Sequence, residues 1–150
     1  MTARPLEGRT VVVTRPRHQA GPLCDALREL GAEPVAFPTI AIRPARDDGP
    51  LREALDALDR YDWAVLTSVN GVRRVIAVLE ETGRVPAEAF DGVRVAAIGP
   101  STADAIRESG VPVDVVPDEY RAEGLIEALS EAARLDGARV LLARAEEARD

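Results

Sequence analysis

An α/β fold, with parallel β-sheets carrying helices on both faces in a flavodoxin-like arrangement, is predicted by three observations. Short apolar runs alternate along the chain with amphipathic segments of about ten to fifteen residues, the pattern of repeated βαβ units. The hydrophobic content of 46% includes only one Trp, two Tyr and two Phe, so the core must be built from Ala, Val, Leu and Ile, which suits helices packed on a sheet. Finally, Trp63-Ala-Val-Leu66 is a short apolar run that stops at Thr67-Ser-Val-Asn-Gly71 and turns into a helix. A strand that is apolar at every position is covered on both faces, as parallel strands are.

Taken in order, Thr10-Val-Val-Val-Thr14 is the first strand, and Arg15-Pro16-Arg17 leads into a helix whose inner face is Ala20, Leu23, Cys24, Leu27 and Leu30. Gly31 ends it. Pro34–Pro38 is a second strand, and residues 39–44 continue extended into the polar Gly/Pro loop 45–50, a candidate domain boundary. Asp48 is placed to cap the next helix, with Pro50 in its first turn and Leu51, Leu55 and Leu58 inward. The helix after the Trp63 strand presents Val72, Val75, Ile76 and Leu79 and runs to Gly83. A short helical piece follows at Val85–Phe90, then a strand at Val93–Ile98, the turn Gly99-Pro-Ser-Thr102, and a helix with Ala103 and Ile106 inward that stops at Gly110. Val113–Val116 is read as a strand. Ala122, Leu125, Ile126, Leu129 and Ala133 mark the inner face of a further helix, Arg139–Ala143 is the last strand, and Arg144–Asp150 begins a helix with no strand to return to. Such an incomplete βαβ unit is expected of a chain cut short at its C-terminus. Leu27–Pro38 also aligns without gaps on Ile106–Pro117, each a helix end, a glycine, a strand and a proline, which fits two domains of one fold.

Composition removes several function classes. Cys24 is the only cysteine and His18 the only histidine, so neither an internal disulfide nor a Cys/His zinc site can be assembled. Cys24 reads as a small core residue and His18 as a solvated one. All nineteen basic residues are arginine; without lysine there is no Schiff-base chemistry, hence no pyridoxal phosphate held in the usual way, and no Walker-type loop. No G-x-G-x-x-G fingerprint occurs. A net charge of −7 with no basic stripe argues against nucleic acid as a partner. No apolar run is long enough to span a membrane and no secretion signal is recognisable, so a cytoplasmic protein is expected.

In an open parallel sheet, ligands gather beyond the carboxyl ends of the strands. The turns expected there are Thr14-Arg15-Pro16, Thr67-Ser68-Val69-Asn70-Gly71, Gly99-Pro-Ser101-Thr102, Glu119-Tyr120-Arg121 and Ala143-Arg144. They share donors: helix-start N–H groups, hydroxyls, a side-chain amide and arginines, all suited to carboxylate or phosphate. Against this stands the plainer reading of Ser, Thr and Asn at helix starts as caps. Tyr120 is either a proton donor or ligand contact, or a cover over a loop edge.

Val-Val-Val-Thr-Arg-Pro16, Phe-Pro-Thr-Ile-Ala-Ile-Arg-Pro44, Tyr-Asp-Trp-Ala-Val-Leu-Thr-Ser-Val-Asn-Gly-Val72, Ala-Ile-Gly-Pro-Ser-Thr-Ala103 and Tyr-Arg-Ala-Glu-Gly-Leu125, in this order, resemble the uroporphyrinogen-III synthase family. The resemblance implies a cofactor-free lyase of tetrapyrrole biosynthesis that closes hydroxymethylbilane into uroporphyrinogen III with inversion of the last ring and loss of water. It also implies two similar α/β domains joined by a two-stranded link: residues 1–38 opening a discontinuous first domain, 39–44 one strand of the link, and 45–150 the second domain without its last elements. By the same resemblance Thr67 and Ser68 match a strand-end Thr-Ser pair that contacts substrate, Ser101 and Thr102 a Gly-x-x-Thr turn, and Arg15 a Thr-Arg-Pro turn facing the cleft. Arg15, Thr67, Ser68, Asn70, Ser101 and Thr102 are therefore the candidate substrate-binding residues. No residue is assigned as catalytic, since the tyrosine proposed to assist loss of the hydroxyl falls in the family beyond the position of Asp150. A monomer is expected at full length. The alternative is a non-catalytic module of the same family that binds a tetrapyrrole or another polyanion within a regulator or fusion; a flavodoxin-like receiver lacks its acidic cluster and lysine.

Overall fold

The computed structural model describes residues 4–39, 41 and 47–144. Part of the expected link 39–44 and the helix expected after Arg144 lie outside them. The chain divides into two compact units, Met1–Pro44 and Ala45–Asp150.

In the first unit, β1 (Thr10–Val13) and β2 (Glu33–Ala36) pair in parallel, with Val12 opposite Val35, and α1 (Arg17–Glu29) connects them. Val13, Ala20 and Cys24 form its buried cluster, with Leu23 and Leu27 packed against it. Leu30, expected to face inward, is instead the C-cap of α1 and 43% exposed. The helix axis has ended there, so the residue no longer follows the buried stripe. Gly31 follows with φ of 93°, a conformation that Gly adopts without the steric cost of a side chain.

The second unit holds α2 (Gly49–Asp56), β3 (Trp63–Leu66), α3 (Val69–Glu81), the short α4 (Pro86–Ala89), β4 (Arg94–Ala97), α5 (Pro100–Glu108), α6 (Ala122–Ala132) and β5 (Val140–Ala143). Its sheet runs β4-β3-β5, all parallel, with Leu66 level with both Ala97 and Ala143. All four residues of β3 are buried, as its unbroken apolar run predicts. Because side chains alternate across a strand, they divide between two cores. Ala64 and Leu66 join Val95, Ala97, Leu55, Val72, Val75, Leu79 and Ile106 on one face. Trp63 and Val65 join Ala96, Val115, Leu125 and Leu129 on the other. Helices α2, α3 and α5 thus cover one face and α6 the other. The Arg94 guanidinium lies 4.2 Å from the Trp63 ring centroid, a cation–π contact at the edge of the second core.

Two further expectations are corrected. Val113–Val116 is not a full strand: only Val115 bridges to Ala96, in parallel. The Asp114 carboxylate accepts from the Val95 amide at 2.7 Å, so a side chain takes the place of a main-chain partner and the ladder stops. Ile126, assigned to the inner face of α6, is 61% exposed and Ala122 is exposed as well; Leu125 and Leu129, one turn apart, are buried in the core, Ala128 and Ala133 pack against it, and Gly124 is buried beside them.

Candidate functional site

Register fixes where the turns of the second unit lie. With Leu66, Ala97 and Ala143 level, Thr67, Ile98 and Arg144 leave the sheet side by side at the carboxyl ends of their strands. Val115 runs parallel beside Ala96, so Val116–Tyr120 leaves at the same edge. Four neighbouring chains separated by three steps of about 4.8 Å make a rim about 14 Å wide. Helices α3, α5 and α6 all begin on this rim, and their first N–H groups point at whatever lies above it.

The candidate residues of this unit take distinct places. Ser68 is the N-cap of α3, its Oγ accepting from the Gly71 amide at 3.0 Å, and it is exposed. Thr67 does not cap: its Oγ1 donates to the Ala143 carbonyl at 3.3 Å and ties the ends of β3 and β5 together. Asn70 lies within the first turn of α3, where the sequence reading placed it among the caps. Gly99 is the N-cap of α5 and Pro100 its first residue, so Ser101 and Thr102 belong to the helix itself. Ser101 is exposed, while Thr102 is 5% exposed and lies beneath the rim. The Thr102 and Ala103 amides both bond the Gly99 carbonyl, and the Ser101 amide has no partner among the described residues.

At the start of α6 the chain is unusually close to itself. A Cβ on Gly124 would overlap the Glu119 carbonyl oxygen, so the loop 117–121 is folded down onto the helix in the space glycine leaves. The Arg121 Nε donates to the Glu119 carboxylate at 2.6 Å, so this arginine is already engaged by an anion of its own loop. Tyr120, between them, is 64% exposed. Arg15, the candidate of the first unit, is exposed just beyond β1. Beside it the Thr14 carbonyl accepts from the Thr39 amide at 3.2 Å.

A second charged cluster went unread in the sequence. The Arg74 side chain of α3 pairs with Asp48 and Glu81, and Arg52 of α2 with Glu81. Hydrogen bonds from Arg74 hold the Asp48 carboxyl below its ordinary value, and those from Arg74 and then Arg52 do the same for Glu81; the Arg74 guanidinium is held more firmly charged in return. The expectation that the Asp48 side chain caps α2 is therefore corrected: Asp48 holds the N-cap position but its carboxylate makes no cap bond, and the Asp47 carboxylate accepts from the Gly49 amide at 2.8 Å. Only the spacing of Arg74 and Glu81, seven residues apart on one helix face, hinted at the cluster.

What the rim offers chemically is hydroxyls and helix-start amides that can hold carboxylates. Among the described residues it presents no thiolate, imidazole or group of metal ligands.

Residues 22–150 match the family model described as uroporphyrinogen-III synthase HemD. The chain is 33% identical over 128 residues to the porphyrin biosynthesis protein HemD of Ruminiclostridium josui, which covers 85% of this chain and 25% of that protein. It is 34% identical over 131 residues to the uroporphyrinogen-III synthase of Synechococcus elongatus, covering 85% of this chain and 47% of that one. The chain thus spans half or less of the length of these relatives. In fold it is similar to the Thermus thermophilus uroporphyrinogen III synthase crystal structure, with a TM-score of 0.59 at 20% identity over 90% of this chain and 60% of the other.

Proposed function

The chain belongs to the uroporphyrinogen-III synthase HemD family, and from that premise we propose that the protein closes linear hydroxymethylbilane to uroporphyrinogen III, inverting the last ring and releasing water. The observation that carries the reading is the convergence of the Thr67–Gly71, Gly99–Thr102 and Pro117–Arg121 turns on one edge of a parallel sheet. That edge is built to receive anions, and the substrate is a flexible chain of four pyrroles bearing carboxylates. Its reaction needs the two ends of the bilane held together while the hydroxyl departs, more than it needs a strong nucleophile. Holding a flexible molecule in one curled conformation removes entropy from the barrier in advance. Fixed N–H and O–H dipoles stabilise charge that develops during loss of water without having to reorganise.

Ser68, Ser101 and the first N–H groups of α3 and α5 are the groups of the second unit best placed to hold substrate carboxylates, with Asn70 beside them. Thr67 and Thr102 support the two turns from below, through the bond to Ala143 and through burial. Arg15, exposed just beyond β1, is by itself a proposed substrate contact of the first unit. The same reading assigns residues 1–38 to a first domain, 39–44 to the link and 45–150 to a second domain. The reading extends to a cytoplasmic monomer.

The test is an isomer assay on the protein expressed from its entire gene. It is supplied with freshly made hydroxymethylbilane, the products are oxidised, and type I is separated from type III uroporphyrin. Type III is the expected product. Type I alone, which forms without catalysis, refutes the proposal and leaves the binding-only module in its place.

A further inference from the structure

Among the described residues Tyr120 is the one large aromatic side chain on the rim, and nothing in the capping of the helices requires it there. It stands 64% exposed in the loop that leaves the sheet beyond Val115, next to the turn that leaves beyond Ala97. Its near end rests on Gly99: a Cβ built on that glycine would lie 3.3 Å from Tyr120 Cγ, 3.4 Å from Cδ1 and 3.5 Å from the tyrosine Cβ. Gly99 has extended backbone, φ −174° and ψ 174°, which any residue adopts. Glycine at this position therefore provides room for the ring and not a special backbone angle. From below, Gly124 lets the Glu119 carbonyl settle onto α6 and so sets the height of the loop that carries Tyr120. The root of the ring is thus held from two sides. The far end is open, and the phenol hydroxyl has no hydrogen-bond partner among the described residues. The neighbouring Glu119 carboxylate is turned to Arg121.

Building on the function proposed above, we propose that Tyr120 is a substrate-positioning residue: its ring is a platform for one pyrrole of the tetrapyrrole, and its hydroxyl donates to a carboxylate of that ring. An aromatic face packed on a heteroaromatic ring, with one polar tip, suits a ligand that is flat and apolar in its rings and anionic at their edges. The proton stays on the phenol throughout, and Tyr120 takes no part in loss of the hydroxyl. Gly99 is the second determinant, because it sets how low the platform sits relative to the Ser101 amide.

The experiment compares wild type with Tyr120→Phe, Tyr120→Ala and Gly99→Ala, each expressed from the entire gene. It reads KM and kcat for hydroxymethylbilane, the melting temperature, and quenching of uroporphyrin III fluorescence as a direct binding probe. Tyr120→Ala is expected to raise KM and weaken uroporphyrin binding roughly three- to tenfold, with kcat and melting temperature nearly unchanged. Tyr120→Phe keeps the platform and loses only the smaller part of that affinity. Gly99→Ala lifts the ring and falls between them. Unchanged KM and binding in Tyr120→Ala, or a lowered melting temperature with KM unchanged, overturns the inference and leaves the tyrosine as a loop cover. Were wild type to make only the type I isomer, the function proposed above would fail. The uroporphyrin titration would then decide Tyr120: weaker binding in Tyr120→Ala upholds it, and no difference, or no binding by wild type, overturns it.

Discussion

Ser68 carries two roles that substitutions can pull apart. As the N-cap of α3 it accepts from the Gly71 amide at 3.0 Å, and as an exposed hydroxyl on the rim it is a proposed carboxylate contact. Ser68→Ala removes both. Loss of a Ser cap costs about 1 kcal/mol. For the second unit, Ala45–Asp150, that corresponds to a melting temperature lower by about 4 °C, taking the value for a domain of roughly 100 residues. Ser68→Asp retains the cap, since Asp and Ser serve nearly equally at that position, and the new charge is favourable to the helix dipole. It also places a negative charge where the substrate's own carboxylates are expected. Two like charges about 4 Å apart repel by about 1 to 4 kcal/mol between bulk water and a protein surface, so KM should rise at least about fivefold. The assay pairs a thermal melt with initial rates on hydroxymethylbilane. Ser68→Ala should melt early and Ser68→Asp should not, while Ser68→Asp should bind far worse. An Asp variant with wild-type KM would refute the carboxylate contact and leave Ser68 a cap alone.

Three further outcomes follow from the packing. Gly124→Ala forces a methyl into the Glu119 carbonyl, and relieving that overlap should cost about 1 to 3 kcal/mol; an unchanged thermal melt would contradict the close approach. Leu79→Ala empties a site with no exposed surface at the centre of the larger core and should cost about 2 to 5 kcal/mol in a urea titration, with a loss under 1 kcal/mol contradicting that packing. In the ion cluster, Asp48 and Glu81 have folded pKa values below their ordinary 3.8 and 4.5, so the stability they contribute is complete above about pH 4.5 and is lost as pH falls through and below 3.8. Arg74→Ala should therefore lower the melting temperature most at neutral pH and least in acid, and a difference that grows on acidification would show the sign to be wrong.

The parts of this fold legible in the sequence are those fixed by local periodicity. The unbroken run Trp63–Leu66 announced a strand buried on both faces, and the stripe Val72, Val75 and Leu79 announced the helix that packs on it. The glycines expected to stop helices at 31, 83 and 110 all take positive φ, at 93°, 72° and 81°. What local pattern could not show are partners brought from far along the chain. Nothing near Thr67 indicates that its hydroxyl reaches the Ala143 carbonyl 76 residues away, and nothing near Asp48 indicates that Arg74 draws its carboxylate off the cap. Val113–Val116 has the composition of a strand, yet the Asp114 side chain substitutes for a backbone partner and reduces it to one bridge. Within the second unit the turns were readable as a set, because parallel topology sends the strand-to-helix turns of one sheet to one edge. The division of labour within each turn was not readable. It depends on burial, which separates exposed Ser101 from buried Thr102, and on Gly124, whose missing side chain sets the loop that holds Tyr120.

The most direct test of the rim as the tetrapyrrole site is an amide-shift titration of isotope-labelled protein, expressed from the entire gene, with uroporphyrin III. The largest changes are expected at the amides of Ser68–Gly71, Ser101–Ala103 and Tyr120–Arg121, where three helices begin on one sheet edge. Changes gathered instead at Asp62, Val93 and Arg139, at the opposite ends of the same strands, would contradict it.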